Sequence, residues 1–270
     1  MVINHSSILQ MLVNRDVSIN AQRSKNAEKM DSGSIMNRAS EDCSGLAIYK
    51  DIHMRIAGLD VAKRNTQDGI SIMQTIDGGL QDTEKQIGRI KQLAVQSLNG
   101  NLTDTDRKQI QVEIDQIKKG IDSTAKDTQF NGINILGQDA SLKIKVLDNP
   151  DVNFNLNLYD CSTSALGISD LDLTSTGNAN AALSKADQAF DKVSHYLVKN
   201  GSGQNSLQQI SETLTNMSYN FNATESNIND TEMASGQMEQ TRLSMLQDAT
   251  SAIFSQVTSI NKNSLSVLGA

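Results

Sequence analysis

The 270-residue chain is short of the bulky side chains that fill the core of a compact enzyme. It has no tryptophan, a single proline (Pro150) and only 3% aromatic residues. Asn, Gln, Ser, Thr and Ala are abundant instead. Because a thick core depends on large apolar and aromatic residues, this composition favours thin helical layers with hydrated surfaces.

Cysteine and histidine are also scarce. Cys43 and Cys161 lie far apart without CxxC spacing, and His5, His53 and His195 are scattered. The sequence has no HExxH, G-x-S-x-G or glycine-rich phosphate-binding motif. We therefore expect no catalytic residue, no metal ion, no cofactor and no enzymatic activity, and we expect both cysteines to be small buried residues.

Charge and hydropathy restrict the partners. The net charge is −7, and the Lys and Arg residues alternate with acids, which argues against a nucleic-acid partner. No apolar run is long enough for membrane insertion. Residues 1–5 lack a basic segment, and polar residues 14–16 interrupt any apolar stretch, so a cleavable signal peptide is not expected. Export would therefore require a dedicated apparatus.

The C-terminal third carries an apolar stripe that advances by three and four residues. A period near 3.5 keeps the stripe on one side of a helix that packs against other helices. The pattern predicts one continuous helix over 204–260, a rod of roughly 85 Å at 1.5 Å per residue. After an irregularity at Gly236 the stripe resumes; its members are Leu207, Ile210, Leu214, Met217, Phe221, Thr224, Ile228, Thr231, Met238, Leu246, Thr250, Ile253, Val257 and Ile260.

Similar stripes occupy residues 59–97 and, less regularly, 8–30. Heptads at opposite ends of the chain predict a mainly α fold, an elongated antiparallel helical bundle or coiled coil whose N- and C-termini are paired. The terminal stripes have little else in the chain to pack against, so we expect them to bind other copies of the chain. The predicted self-assembly residues are Ile8, Leu12, Met30, Met238, Leu246, Ile253, Val257 and Ile260.

The middle of the chain changes period from helical to alternating. Residues 141–147 and 152–158 alternate apolar and polar positions around a turn at 148–151, which predicts a β-hairpin. Thr103 and Asp106 form a potential capping box for a helix from Asp104 to about Thr128. Two further segments are predicted to end or interrupt helices. Residues 99–101 should end the first long helix, and Asn200-Gly201-Ser202-Gly203 should interrupt a later one.

A set of short motifs occurs in one order along nearly the whole chain. They include Ser32-Gly33, Asn37-Arg38-Ala39, Gly45-Leu46-Ala47, Asn65, Asp68-Gly69-Ile70, Leu93-Ala94-Val95-Gln96, Thr128-Gln129-Phe130-Asn131-Gly132, Ala165-Leu166-Gly167 and Asp230-Thr231-Glu232-Met233-Ala234. Each motif is weak alone, but together they are specific, and the set resembles bacterial flagellin.

The resemblance implies a structural subunit that polymerises into the flagellar filament for swimming motility. It assigns residues 1–42 and 229–270 to paired inner-tube helices with their connecting spoke. Residues 43–228 would form the outer-tube domain, with a β-hairpin region at about 131–175. Only about twenty residues, 160–180, lie where many members carry variable domains, which indicates a short form.

Three alternatives stay open from the sequence. They are the hook–filament junction (hook-associated) protein, a divergent minor flagellin and an unrelated secreted coiled-coil adhesin. The chain departs from the family pattern at Asn227 and Asn229, where basic residues are usual, and at Gly236, where charged helix formers are usual. A glycine inside a helix costs roughly 1 kcal/mol.

The resemblance also implies partners and a location. These are other copies of the chain, a flagellin export chaperone that binds residues 235–270, the flagellar type III export apparatus, and hook-associated and cap proteins. The location implied is extracellular, in the bacterial flagellum. A patch read by a Toll-like innate receptor would include Arg89, Leu93 and Glu113, although Gly88 and Gln92 depart from its pattern.

Overall fold

The structure, a computed structural model, describes residues 5–147 and 152–268 and is mainly helical. It divides into two compact units, Met1–Arg55 with Asn220–Ala270 (unit 1) and Ile56–Tyr219 (unit 2). The predicted mainly α fold is confirmed. The helices are α1 (His5–Ser32), α2 (Cys43–Ser97), α3 (Asp104–Asp127), α4 (Thr163–Leu166), α5 (Thr176–Asn229) and α6 (Met233–Leu268).

Two small antiparallel hairpins lie between α3 and α4. Strand β1 (Gln129–Phe130) pairs with β2 (Ile133–Asn134), and β3 (Ser141–Lys145) pairs with β4 (Asn153–Asn157). Leu142 faces Leu156 across the second pair, and Ile144 faces Phe154, so apolar side chains share one face. The predicted hairpin is confirmed with slightly shorter strands. Its predicted turn, 148–151, falls outside the described residues.

Unit 2 has one hydrophobic core, built on the predicted stripe of α2. The buried residues of α2 recur at three- and four-residue steps and pack with α3, α5 and the segment that follows the first hairpin. Gly79 belongs to this contact, because a Cβ there would collide with Leu136. The largest fully buried side chains are Ile76, Leu80, Ile87, Ile90, Leu93, Ile114, Ile121, Ile135, Leu136, Leu156, Ile168 and Leu173.

The predicted boundary between α2 and α3 is confirmed. Helix α2 ends at Ser97, and α3 begins with the capping box: the Thr103 amide donates to Asp106 Oδ2 at 2.9 Å, and the Asp106 amide donates to Thr103 Oγ1 at 3.3 Å. Buried Arg107 donates to the carbonyls of Ser97 and Leu102. Its guanidinium thus pairs with the last carbonyl of α2, at Ser97, and with a carbonyl of the connection to α3, at Leu102.

Helix α5 corrects the predicted interruption at 200–203, because it continues from Thr176 to Asn229. Buried Asn200 donates through Nδ2 to the Met73 carbonyl of α2 at 2.9 Å. A Cβ at Gly203 would lie 3.2 Å from the Met73 sulfur. The residues that resemble a helix break therefore permit close packing of α5 against α2.

The predicted continuous helix over 204–260 is also wrong, because residues 230–232 separate α5 from α6. The break is stabilised by residues far away in the chain: the Ile35 amide donates to the Asn229 carbonyl at 2.7 Å, and the Thr231 amide donates to the Gly33 carbonyl at 2.9 Å. Backbone groups freed by the break therefore find partners in the segment after α1.

The two cysteines differ, and the expectation of burial is wrong for one of them. Cys161 is buried in the core of unit 2, and desolvation raises the pKa of its thiol to about 12. Cys43 is exposed, because it opens α2 at its first residue and does not face the core.

Candidate assembly surface

Helices α1 and α6, hereafter the terminal helix pair, pack antiparallel. Gln247 Nε2 donates to Asn20 Oδ1 at 2.9 Å, and Asn26 Nδ2 donates to the Gly236 carbonyl at 2.9 Å. The contact thus moves toward the start of α6 as it advances along α1. The predicted pairing of the chain termini is confirmed for this part of the chain.

The contact between the two helices, hereafter the seam, keeps a heptad spacing. All its positions are buried or half-buried, and Ile19, Leu243 and Thr250 are among the buried ones. Steps of three and four residues keep such positions on one side of a helix. The seam comprises Leu9, Leu12, Asp16, Ile19, Arg23, Asn26 and Met30 of α1, with Gly236, Gln240, Leu243, Gln247, Thr250 and Val257 of α6.

The middle of the seam is polar. Asn26 Nδ2 also lies 3.2 Å from Gln240 Oε1, and the Arg23 guanidinium donates to Gln247 Oε1. Arg23 Nε is buried without a hydrogen-bond partner among the described residues. Polar residues at core positions of a coiled coil fix register and orientation at a cost in stability. The seam therefore specifies how α1 and α6 align more than it holds them tightly.

The packing around Gly236 explains why this position departs from the family pattern. It is buried in the seam, and a Cβ there would lie 3.0 Å from Met30 Cγ. Its carbonyl accepts the hydrogen bond from Asn26. A larger residue would push α1 and α6 apart, so the helix tolerates a glycine at this position.

Large apolar side chains are exposed on the same two helices, away from the seam. Exposed apolar patches of this kind mark interaction surfaces. We call these residues the outer apolar face: Ile8, Met11, Val13 and Val17 on α1, with Met238, Met245, Ile253 and Ile260 on α6. Phe254 is exposed too, but it falls at a seam position, four residues after Thr250 and three before Val257.

The predicted self-assembly residues fall into two groups. Four are exposed on the outer apolar face, whereas the other four are half-buried along the pair. The exposed four are Ile8, Met238, Ile253 and Ile260; the half-buried four are Leu12, Met30, Leu246 and Val257.

The sequence reasoning missed Val13, Val17, Met245 and Phe254, because these residues lie off the stripe that it followed. No single helical period joins them, because Met245 and Phe254 are nine residues apart and lie on opposite sides of α6.

A polar clamp joins the two helix breaks of unit 1. Gly33 has a φ of +69°, and Ser34 Oγ donates to Asn229 Oδ1 at 2.6 Å. Asn229, which occupies a position where the family usually has a basic residue, is itself buried. Its backbone carbonyl accepts from the Ile35 amide, so one residue fixes the segment after α1 through two bonds.

The predicted receptor patch lies in unit 2. Arg89 and Glu113 are exposed and form an ion pair, with Nη2 and Oε1 2.6 Å apart. Leu93, one helical turn after Arg89, is 1% exposed and belongs to the hydrophobic core, so it is not part of the exposed surface.

Two kinds of feature are absent from residues 5–147 and 152–268. No helix there is long and apolar enough to cross a membrane. No three acidic, cysteine or histidine side chains there are grouped to hold a metal ion.

Comparisons with known proteins agree with this arrangement. The chain matches the bacterial flagellin N-terminal helical region over residues 3–141 and the C-terminal helical region over residues 183–268. It is 34% identical to the flagellar filament 30.7 kDa core protein of Treponema maltophilum, over 99% of this chain and 100% of that protein. It is 33% identical to flagellin of Bacillus subtilis, again over 99% and 100%.

A solved structure described as a flagellar hook-associated protein from Vibrio parahaemolyticus has a TM-score of 0.60 and 13% identity, covering 70% of this chain and 100% of that one. At that identity the likeness shows the fold alone. The family matches at both ends and the relatives aligned over nearly the full length show that the chain belongs to the bacterial flagellin family.

Proposed function

We propose that the chain is a structural subunit that polymerises into the bacterial flagellar filament. One observation carries the proposal: both helices of the terminal helix pair expose large apolar side chains although they already pack together through the seam. The Treponema maltophilum relative is named a filament core protein, which supports the same function.

The energetics favour a polymer over a dimer. Fully burying one such side chain gains about 1.5–3 kcal/mol. Association costs about 4–15 kcal/mol in lost translational and rotational freedom. The outer apolar face is spread over two helices, so one partner covers only part of it. Contacts with several neighbours, as in a helical polymer, supply the required free energy.

We further propose that residues 1–42 and 229–270 form the inner tube and its connection, and that residues 43–228 form the outer tube. Unit 2 supports the second assignment, because its core closes within residues 70–210. The subunit acts outside the cell, as part of the bacterial flagellum, together with hook-associated and cap proteins.

Export needs a chaperone, because the exposed apolar residues of α6 would cause premature association. We propose that a flagellin export chaperone binds residues 235–270 and delivers the chain to the type III export apparatus. The proposed contacts are Met238, Leu246, Ile253 and Val257; Met238 and Ile253 are exposed, whereas Leu246 and Val257 are half-buried. Titration calorimetry should show strong binding to the full chain and loss of binding to a chain that ends at Ala234; equal affinities would contradict this.

The third proposed partner is the Toll-like innate receptor, which would contact Arg89 and Glu113 on the monomer. Leu93, being buried, would support the patch from within. Arg89→Ala in monomeric protein should reduce the signal of a receptor reporter cell, whereas Lys85→Ala, an exposed cation one turn away, should not. Equal signals from both variants would remove Arg89 from the patch.

Seeded polymerisation tests the main proposal. Purified chain is added to filament fragments, and growth is followed by sedimentation and electron microscopy. We expect the unaltered chain to extend the seeds. Ile253→Gln with Ile260→Gln should abolish extension, since it removes apolar contacts from every subunit. Val198→Gln is the matched control, because Val198 is 69% exposed but lies on α5.

The outcomes separate the candidate functions. Capping of hooks without any extension would favour the junction protein. Extension by the Ile253/Ile260 variant at the normal rate would show that the outer apolar face does not carry assembly.

A further inference from the structure

Methionine is unusually prominent on the outer apolar face. Helix α6 contains Met233, Met238 and Met245, and the last two are 69% and 65% exposed. Met36 and Met73, in contrast, are 8% and 4% exposed. The first half of α6 therefore exposes thioethers where its second half exposes Ile253 and Phe254.

Met238 and Met245 share a surface. They are seven residues apart, two helical turns on one face, and together with Gln237, Thr241 and Arg242 they line a shallow, mostly apolar groove of about 330 Å³. Neither side chain takes part in the seam, whose contacts on α6 lie at Gly236, Gln240 and Leu243.

Two polar side chains beside the groove already have partners. Thr241 Oγ1 donates to the Gln237 carbonyl at 2.9 Å. Arg242 Nε donates to Glu239 Oε2 at 2.7 Å, and a second guanidinium nitrogen donates to the other oxygen of the same carboxylate. A new acceptor on either sulfur would therefore have to compete with these bonds for the Thr241 hydroxyl and for those two guanidinium nitrogens.

We propose that Met238 and Met245 are a peroxide-sensitive modification site that controls self-association. The proposal rests on the proposed function, because its consequence is measured through assembly. The sulfur lone pair attacks one oxygen of hydrogen peroxide, the O–O bond breaks, and an S–O bond forms. The sulfur loses two electrons, the peroxide gains them, and water leaves after proton transfer, which yields methionine sulfoxide.

The product changes the surface from apolar to polar. A sulfoxide oxygen is a strong hydrogen-bond acceptor, and burying it without a donor opposes association. Unassembled subunits expose both sulfurs, whereas assembly through the outer apolar face covers them. Oxidised subunits are thereby excluded from the growing polymer, and assembled subunits are protected.

The first measurement is oxidation of the full-length monomer by dilute hydrogen peroxide, followed by peptide mapping. Exposed Met238 and Met245 should oxidise about tenfold faster than buried Met73. In assembled filaments their rates should fall toward that of Met73. Equal rates in monomer and filament would overturn the claim that assembly covers the site.

The second measurement is seeded polymerisation of the oxidised chain. We expect the critical concentration to rise about tenfold or more when both sulfurs are oxidised. Reduction by methionine sulfoxide reductase should restore assembly. Normal polymerisation of fully oxidised chain would overturn the proposal alone, whereas failure of the untreated chain to polymerise would overturn the proposed function as well.

Leucine variants identify the sulfurs responsible. Met238→Leu with Met245→Leu nearly conserves volume and helix propensity, so the variant should fold and assemble. Its assembly should be less sensitive to peroxide than that of the unaltered chain, although Met11, which is 70% exposed on the same face, remains. Met54→Leu is the matched control, because Met54 is 67% exposed but lies on α2, and this variant should stay sensitive. Equal inhibition of the Met238/Met245 variant and the unaltered chain would overturn the assignment, and circular dichroism checks that both variants are folded.

Discussion

Gly236→Glu tests whether the seam, and not helix propensity, determines the residue at this position. The substitution introduces a charged helix former of the kind that the family pattern favours. In an isolated helix it would be stabilising by about 1 kcal/mol. Position 236 is buried, however, and its Cβ would lie 3.0 Å from Met30 Cγ and 3.3 Å from the Met30 sulfur.

The opposing costs are larger. Overpacking a filled contact costs about 1–3 kcal/mol, and a buried polar group without partners costs about 1–3 kcal/mol more. Movement of α1 would also weaken the bond between Asn26 and the Gly236 carbonyl. We therefore expect a net loss of roughly 1–5 kcal/mol from α1–α6 pairing. Gly236→Ala should be near neutral, because the flexible Met30 side chain can shift by a few tenths of an ångström.

Hydrogen exchange of the α1 and α6 amides measures the pairing, and seeded polymerisation measures its consequence. Ser235→Glu is the matched control, because Ser235 is adjacent, exposed and would carry the same charge. A Met30→Ala change in the Gly236→Glu background should recover part of the loss by providing room. If Gly236→Glu and Ser235→Glu exchanged and assembled alike, the seam argument would be refuted.

The independence of unit 2, the Ser34–Asn229 bond and the two cysteines can each be tested. Deleting residues 238–270 should abolish polymerisation in sedimentation assays but leave the calorimetric unfolding of unit 2 nearly unchanged, because its core lies within residues 70–210; coupled collapse would contradict this. Ser34→Ala removes a 2.6 Å bond to Asn229 and should cost about 1–3 kcal/mol locally, seen as faster amide exchange at Ile35, with exposed Ser40→Ala as the silent control. At pH 8 an alkylating reagent should modify Cys43 and spare Cys161, because the raised pKa of Cys161 keeps its thiol protonated until the pH nears 12. Rapid labelling of both cysteines in native protein would disprove the burial of Cys161.

Local patterns predicted the elements whose causes are local. The stripe of α2, the capping box of α3 and the alternation of the β3–β4 hairpin each depend on residues within a few positions of one another. The structure reproduces all three. The pairing of the termini followed from heptads that had no other partner in the chain.

Features determined by distant contacts could not be predicted in this way. The break at 230–232 contains no glycine or proline and continues the stripe, yet it pairs with Gly33 and Ile35, almost 200 positions away. Asn200–Gly203 looked like a break because glycine and asparagine favour turns, but the same residues allow α5 to approach Met73. In both places tertiary contacts override local propensity.

The chemistry of the seam explains how the terminal helix pair can be folded and still have apolar surface for contacts with other subunits. A seam filled with large apolar residues would bind α1 to α6 strongly and leave less apolar surface for other subunits. Here Arg23, Asn26 and Gln247 occupy seam positions and form directional hydrogen bonds, which fix the alignment at low net stability. Other large apolar residues, among them Met238 and Ile253, remain on the outer apolar face. We therefore expect pairing within the chain and association between chains to use largely different side chains, so that a substitution can weaken one without directly altering the other.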